Sequence, residues 1–480
     1  MSRNILPEPQ TSSRIIFLAA IMLIAIIAVY SDVRHHYFVW DTIPFVLENP
    51  WIHEWSVNNL IAMFTQAHEA NWHPVVLISH AIDITLFGYD SGWHHLTNLL
   101  LHAINSLLLS WLIFGILQQG EVNVQTGIWT AFLTGLIFAI HPQHVESVAW
   151  VVERKDVLYS LFALFCLIAY LRTDADYRIT NHLGVFVFFC LSVGAKPMAV
   201  TLPVIMLLLD VYPLNRISNF ASLVRALLQK LPYILISGIV VLVTLTTQSM
   251  AMPSAENLPQ WAKTLNAIDN TWFYIAHYLW PLELSPFYPY PQEISYITSP
   301  AFWLPGALFL TISVLLTGWF ALKKMMFWPG LLLAFYLVTL LPVSGLIHVG
   351  PAKGTDHYVY LSTIPFSLLT ALVIVTLWQK HKNVRVPVAA LTGFYLLFLV
   401  VIANFQVQVW NNPVSLWTRV VQLHPDDPFG HRNLASGYAE IEAWDMALFH
   451  AQKSIELGSP DQNYLNRLRA HIDNLSQSHD

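Results

Sequence analysis

Long apolar runs recur along this chain as far as about residue 407, and they constrain its fold more than any other feature. A helix needs about 20 apolar residues to cross the roughly 30 Å hydrocarbon core of a bilayer, and several runs reach that length. Because 55% of the residues are hydrophobic and only 11% are charged, we expect an all-α integral membrane protein. The predicted spans are 14–31, 97–118, 127–141, 157–172, 183–195, 197–213, 231–249, 302–321, 327–347, 359–378 and 386–407, about eleven in all.

Two apolar segments have more than one interpretation. The N-terminal run Ile15–Tyr30 is interpreted as an uncleaved first span, because no small-residue cleavage site follows it. The stretch 266–282 is apolar and aromatic but contains Asp269, His277 and Pro281. It is interpreted as an interfacial or re-entrant helix on the outer side, and a full crossing there would invert every later segment.

The distribution of lysine and arginine sets the orientation. With the N-terminus in the cytoplasm, the inner segments carry twelve of these residues and the outer loops six. The first loop (32–96), the loop 142–156, the junction 194–198 and the loop 348–358 then open on one outer face. Any chemistry is expected on that side.

The first outer loop contains two short apolar segments, 56–64 and 75–87, which predict interfacial helices at the lipid headgroup level. The second span then begins with a polar stripe at intervals of three or four residues, which we expect to face the bundle interior. The stripe consists of His95, Asn98, His102 and Asn105.

The C-terminal residues 408–480 form a second, soluble domain beyond the membrane domain 1–407. Leu434, Ala435, Tyr438 and Ala447 have the spacing of a tetratricopeptide unit. Isolated units rarely stand alone, so 411–480 is expected to dock on the outer loops or on a protein partner.

The first candidate for chemistry is Asp41, a carboxylate just beyond the first span, which could act as a general base or a substrate anchor. A solvated loop carboxylate is the alternative. Glu48 is a secondary candidate, because the Asn49-Pro50 pair after it has ordinary turn chemistry.

The second candidate is the segment 141–156, which follows the third span. Its pattern predicts one helix with Glu146, Trp150 and Glu153 on a single face. Arg154 and Lys155 are two adjacent cations at an outer interface, which suits a phosphate headgroup. Internal pairing with the nearby carboxylates is the alternative.

Further candidates lie in two later outer segments. Lys196, in a tight turn between spans, could bind an anion or extend to the interface. Lys353, Asp356, His357 and Tyr358 supply donors suited to an anion in a glycine-flanked loop. The chain contains no H-E-x-x-H motif and no cysteine pairing typical of a metal site, so no metal and no other cofactor is favoured.

These motifs together resemble the membrane-embedded GT-C type glycosyltransferases, specifically the tetratricopeptide-bearing protein O-mannosyltransferase-like proteins of bacterial type. The motifs that carry the resemblance are FVWDT…ENP, ANWHP, GWHHLTNLLLHAIN, FAIHPQHVESVAWVVERKD, GAKPMAVTLP and TDHYVYL, which cover most of residues 37–365.

The resemblance implies transfer of a mannose-like hexose from a polyprenyl-phosphate donor to a protein or glycan hydroxyl, on the outer face of a bacterial inner membrane. It implies Asp41 as the base, although the family's second acidic position is Thr42 here. Membrane lipid is the remaining partner, and no nucleic acid is expected. The expected phosphate ligands are Arg154, Lys155, Lys196 and Lys353. The expected pocket residues are Glu48, His95, His141, His144, Glu146, Asp356, His357 and Tyr358.

A scaffold and a transporter are the two alternative functions. A non-catalytic membrane scaffold would use residues 411–480 to recruit partners, and the Thr42 departure favours it slightly. A lipid-linked-sugar transporter would predict inverted repeats or polar residues at mid-membrane, and the sequence shows neither.

Overall fold

The computed structural model describes residues 9–69, 71–173, 179–251, 259–291, 294–322, 328–346, 352–380 and 382–478. Helices dominate these residues, so the predicted all-α class is confirmed. Four of the lysines and arginines behind the predicted orientation, and part of the predicted outer loop 348–358, lie outside the described residues. They are Arg3, Arg178, Lys323, Lys324 and residues 348–351.

The first half of the chain contains ten helices among its described residues. They are α1 (Pro9–Tyr30), α2 (Val57–Thr65), α3 (Pro74–Phe87), α4 (Ser91–Gln119), α5 (Val124–Ile140), α6 (Val145–Ala149), α7 (Arg154–Leu171), α8 (Ile179–Ala195), α9 (Leu202–Val211) and α10 (Phe220–Ala251). Helices α2 and α3 correspond to the two short helices predicted in the first outer loop.

The second half adds ten helices and a small ribbon among its described residues. They are α11 (Gln260–Leu279), α12 (Ile294–Thr298), α13 (Pro300–Leu322), α14 (Trp328–Leu340), α15 (Ile364–Lys380), α16 (Arg385–Val409), α17 (Pro413–Leu423), α18 (Pro428–Glu440), α19 (Trp444–Glu456) and α20 (Gln462–Ser478). Strand β1 (Tyr288–Pro289) pairs antiparallel with β2 (Ala352–Gly354).

Five helical stretches in the described part of the chain are long and apolar enough to cross a membrane. They are Ser13–His35, Ser91–Gln119, Phe220–Thr247, Ser295–Phe320 and Lys382–Val409. Val124–Ile140 and Pro142–Ala149, bent by 59°, would form a sixth as one broken span. The protein is therefore an integral membrane protein by its helices, and the count of eleven crossings stays a prediction.

The polar stripe of α4 lies inside the bundle, as expected: all four of its side chains are buried. The Asn98 amide donates to the carbonyl oxygens of Val148, Trp150 and Val151 at 3.2–3.4 Å. These carbonyl oxygens are free to accept because they lie at a break in the segment 141–156. The prediction of one continuous helix in this segment is therefore wrong. Trp150 adopts an extended conformation (ψ 115°) between α6 and a 3-10 turn at Val151–Glu153, and α4 stabilises this break.

The C-terminal helices α17 to α20 pack on one another and on the loops of the membrane domain. Ala435, Ala447, Ala451, Leu465 and Leu468 form their own small core. Arg419 of α17 donates to the carbonyl oxygens of Leu282 (2.8 Å) and Leu284 (3.1 Å). The tetratricopeptide assignment itself stays a prediction.

Candidate functional site

A cavity of about 1060 Å³ lies where the first loop, the α6–α7 junction and the ribbon meet. We call the part lined by the loop residues the polar end and the part lined mainly by helix residues the apolar end. The polar lining includes Asp41, Glu69, Asn71, His73, Glu153, Lys155, Lys196, Gln260, His357 and Tyr358. The apolar lining includes Val200, Val204, Val241, Leu245, Val338, Leu341 and Leu346. Val204 on α9 and Val241 and Leu245 on α10 are each more than a third exposed.

Asp41 stands at the polar end of this cavity, in the turn that precedes the π-helical segment Ile43–Leu47. Its side chain is exposed to the cavity. The surrounding protein still removes enough water to raise the pKa of Asp41, while Lys155 opposes the rise and Glu153 adds to it. A carboxylate with a raised pKa is a better base than a solvated one.

Two lysines share carboxylates beside Asp41. Lys155 Nζ lies 2.7 Å from Glu153 Oε1, and Lys196 Nζ lies 3.3 Å from Glu153 Oε2. Lys196 also pairs with Asp156. Although burial opposes it, the charges of His357, Lys155 and Lys196 hold the pKa of Glu153 well below its usual range. Both ammonium groups reach the cavity, so the polar end can bind an anion.

A second layer of polar groups supports this network. His357 Nδ1 lies 2.8 Å from Glu146 Oε1, and its Nε2 lies 3.6 Å from Glu153 Oε1. Asp356 accepts a hydrogen bond from the Tyr288 hydroxyl at 3.1 Å. His357 and Tyr358 line the cavity, whereas Glu146 and Asp356 lie behind it.

The side chain of Arg154 points away from the cavity that Lys155 lines. This corrects the expected pair of phosphate ligands. Its guanidinium is fully buried and lies 2.6 Å from Asp83 Oδ2 on α3. It also donates to Asn98 Oδ1 at 2.8 Å and to the His94 carbonyl at 2.9 Å. Adjacent residues on a helix point about 100° apart, so Arg154 holds α3, α4 and α7 together while Lys155 faces the cavity.

Lys353 also lies away from the cavity, on the other side of the β1–β2 ribbon. It pairs with Asp269 and lies over the rings of Phe273 (4.5 Å) and Phe302 (4.8 Å). It lines a separate aromatic cleft of about 420 Å³ with Tyr288. The structure therefore does not bring Lys353 to the expected phosphate site.

The remaining predicted pocket residues do not line the cavity. They are Glu48, His95, His141 and His144, and the three histidines bond to groups of the protein itself. Glu48 ends the π-helical segment and is exposed. His95 Nε2 lies 3.4 Å from the Tyr37 carbonyl, and His141 Nε2 lies 3.0 Å from the Tyr278 carbonyl. His144 bonds the Phe138 carbonyl and the Thr363 hydroxyl. Their bonds join the loops to the bundle core.

One group of side chains in the described part of the chain has metal-ligand spacing: Glu153, Asp156 and His357. Carboxylate oxygens and imidazole are ordinary ligands for divalent cations. The Lys196 ammonium pairs with both of these carboxylates.

Sequence reasoning missed the aromatic wall of the cavity. Trp40, Trp150, Phe287 and Phe429 line it, and Phe429 comes from α18 of the C-terminal region. Trp40 and Trp150 were visible as tryptophans beside candidate residues. Nothing in the local sequence pattern distinguishes Phe287 or Phe429, because their positions depend on how α17 and α18 dock.

Comparison with known proteins confirms the resemblance. The chain is 32% identical over 145 residues to protein O-mannosyl-transferase TMTC2 of Homo sapiens, a match that covers 30% of this chain and 16% of that protein. It is 32% identical over 103 residues to TMTC1 of Mus musculus (22% and 10%). It is also 32% identical over 130 residues to TMTC4 of Mus musculus (25% and 17%).

These matches are partial. The chain spans only 10–17% of the length of these three relatives. No family model matches the chain.

Proposed function

We propose that this protein is a membrane-embedded glycosyltransferase that moves a mannose-like hexose from a polyprenyl-phosphate donor to a protein hydroxyl. The observation that carries the proposal is that one cavity is lined both by partly exposed apolar side chains of α9 and α10 and by Asp41, Lys155 and Lys196. We propose that the lipid enters between these helices. The relatives are protein O-mannosyl-transferases by name, which favours a protein acceptor over a glycan.

The shape of the cavity suits a lipid-linked sugar phosphate. The prenyl chain would enter between α9, α10 and α14, where Val204, Val241 and Val338 line the wall. Burying such a chain contributes roughly 25 cal/mol for each Å² of apolar surface. The phosphate would reach Lys155 and Lys196, which leaves the sugar between these lysines and Asp41.

The proposed reaction is a single displacement that inverts the anomeric carbon. Asp41 accepts the proton of the acceptor hydroxyl, and the hydroxyl oxygen forms a bond to the anomeric carbon. The bond between that carbon and the phosphate oxygen breaks, and the phosphate leaves with the electron pair. Lys155 and Lys196 stabilise the charge that develops on the leaving phosphate.

This scheme needs only one carboxylate, and it is therefore compatible with a threonine at position 42. Thr42 is buried and does not line the cavity, so the acidic pair of the family is reduced to Asp41. We also propose that no divalent metal takes part, because Lys155 and Lys196 together pair with Glu153 and Asp156. The proposed setting is a bacterial inner membrane with the cavity and residues 408–480 on the outer side.

The test is transfer by the full-length protein in liposomes. The donor is a polyprenyl phosphate that carries radiolabelled mannose, and the acceptor is a serine- and threonine-containing peptide. We expect label in the peptide, with the glucose donor as the control for sugar selectivity. A protein that neither transfers the sugar nor binds either donor would contradict the proposal and would leave the scaffold alternative.

A further inference from the structure

The residue before the proposed base has an unusual backbone conformation. Trp40 has a φ of 52°, in the left-handed region that large side chains rarely occupy. Such a conformation costs roughly 1–3 kcal/mol and persists only where surrounding contacts enforce it. Because Trp40 precedes Asp41, whatever holds its backbone also sets the direction of the carboxylate.

Aromatic rings from separate parts of the chain hold Trp40. Its indole stacks on Trp150, with centroids 4.7 Å apart and planes 7° apart. Trp417 of α17 meets the same indole edge-on at 4.9 Å. Phe287, beside β1, contacts it at 6.5 Å. Aromatic pairs in this range add roughly 0.5–1.5 kcal/mol each beyond their buried area, enough together to offset the strain.

Trp417 is itself fixed in place. It is 3% exposed, and Phe429 of α18 packs on it at 5.5 Å. The start of α17 is capped by Asn412 and Ser415 in a reciprocal pair of hydrogen bonds, and Arg419 joins the helix to the loop before β1. The Trp417 indole that contacts Trp40 is therefore held by the capped helix α17 and by Phe429.

We propose that Trp417 is a positioning residue, and that the C-terminal helices thereby complete the reaction site. Trp417 and Trp150 clamp the Trp40 indole, and this clamp directs Asp41 into the cavity. Trp417 does not line the cavity, so it acts through Trp40 and not by touching substrate. The inference rests on the proposed glycosyl transfer.

The test compares substitutions at Trp417 in the full-length protein, with kcat and the donor KM measured separately. Trp417→Ala and Trp417→Leu remove one of the two rings that clamp Trp40, and we expect kcat to fall roughly 10- to 100-fold, as misplaced catalytic groups do. The donor KM should stay within about twofold, because Lys155 and Lys196 are not in contact with Trp417. Trp417→Phe keeps a ring and should retain kcat within about threefold.

Trp444→Ala is the matched control, since Trp444 lies in the same C-terminal region and packs on His471. It should leave kcat unchanged. If Trp417→Leu keeps the wild-type kcat, or if Trp417→Phe is as impaired as Trp417→Leu, the positioning role is overturned. Wild-type protein without any transfer would instead overturn the proposed function, so the two failures are distinguishable.

Discussion

Lys155 Nζ lies 2.7 Å from Glu153 Oε1 at the polar end of the cavity, and the lysine side chain is still 15% exposed there. Lys155 is therefore held in place by one carboxylate while part of its ammonium faces the space that a donor phosphate would occupy. Its neighbour Arg154 has no such exposure.

This geometry predicts that Lys155→Met weakens donor binding. A hydrogen bond to a charged group contributes about 1.5–3 kcal/mol, so the donor KM should rise roughly 10- to 100-fold. Titration of the polyprenyl-phosphate sugar in the transfer assay measures this change. Lys453→Met, on exposed α19, is the control, and an equal donor KM in both variants would argue against phosphate binding by Lys155.

Removal of divalent metal should not abolish transfer. Lys155 and Lys196 together already pair with Glu153 and Asp156, so activity after EDTA treatment should stay within about twofold of the untreated protein. Lys196→Met would instead leave Asp156 without its ammonium partner and Glu153 with Lys155 alone, and it should lower activity. Loss of transfer in EDTA with recovery on added Mn²⁺ or Mg²⁺ would contradict the metal-free scheme.

The buried pair of Arg154 and Asp83 should matter for stability and not for donor affinity. Asp83→Asn leaves the guanidinium without its charge partner inside the protein, which typically costs about 3–5 kcal/mol. The Tm in detergent should fall markedly, with the donor KM unchanged in the folded fraction. The exposed pair of Arg34 and Asp90 gives the comparison, because Arg34→Gln should shift the Tm far less.

Stability should fall as the pH rises from about 4 to 7 because of Asp356. Burial raises the pKa of Asp356 to about 7, against hydrogen bonds from Tyr288 and Gln143. In the unfolded chain this carboxyl titrates near its ordinary pKa of about 3.9. Between these values the folded state keeps a proton that the unfolded state has released, so its contribution is complete below pH 4 and is lost as the pH reaches 7.

The measurement is the Tm at pH 5 and pH 8. Asp356→Asn keeps an acceptor for the Tyr288 hydroxyl and should reduce the difference between the two temperatures. Asp445→Asn, at the exposed start of α19, controls for the loss of one carboxyl group. An unchanged difference in Asp356→Asn would show that this carboxyl does not carry the effect.

Much of the architecture follows from apolar patterning, since the runs that predict spans coincide largely with helices. The stripe on α4 was also predictable, because polar side chains in a membrane helix are costly unless they face the interior. The break at Trp150 was not. It depends on the Asn98 amide, which donates hydrogen bonds to three carbonyl oxygens of this segment. Those contacts join residues about 50 positions apart in the sequence.

Part of the candidate site was also predictable from the sequence, and part was not. The predicted topology placed Asp41, Lys155, Lys196, His357 and Tyr358 on one face, and in the structure all five line one cavity. It could not separate Arg154 from Lys155, since only the position of Asp83 on α3 decides which cation is buried. The sequence did not predict that Phe429 lines the cavity, because the docking of α18 depends on tertiary contacts and not on local pattern.

The role of Asp41 is the centre of the account, and a single substitution tests it most directly. Asp41→Asn keeps the size of the side chain and removes the base. Asp32→Asn, in the same loop, keeps an acceptor for Gln408 and serves as the control. In the transfer assay we expect the Asp41→Asn protein to lose roughly 100-fold or more in kcat while it still binds donor, and the Asp32→Asn protein to keep its activity. Wild-type turnover by Asp41→Asn would contradict the account.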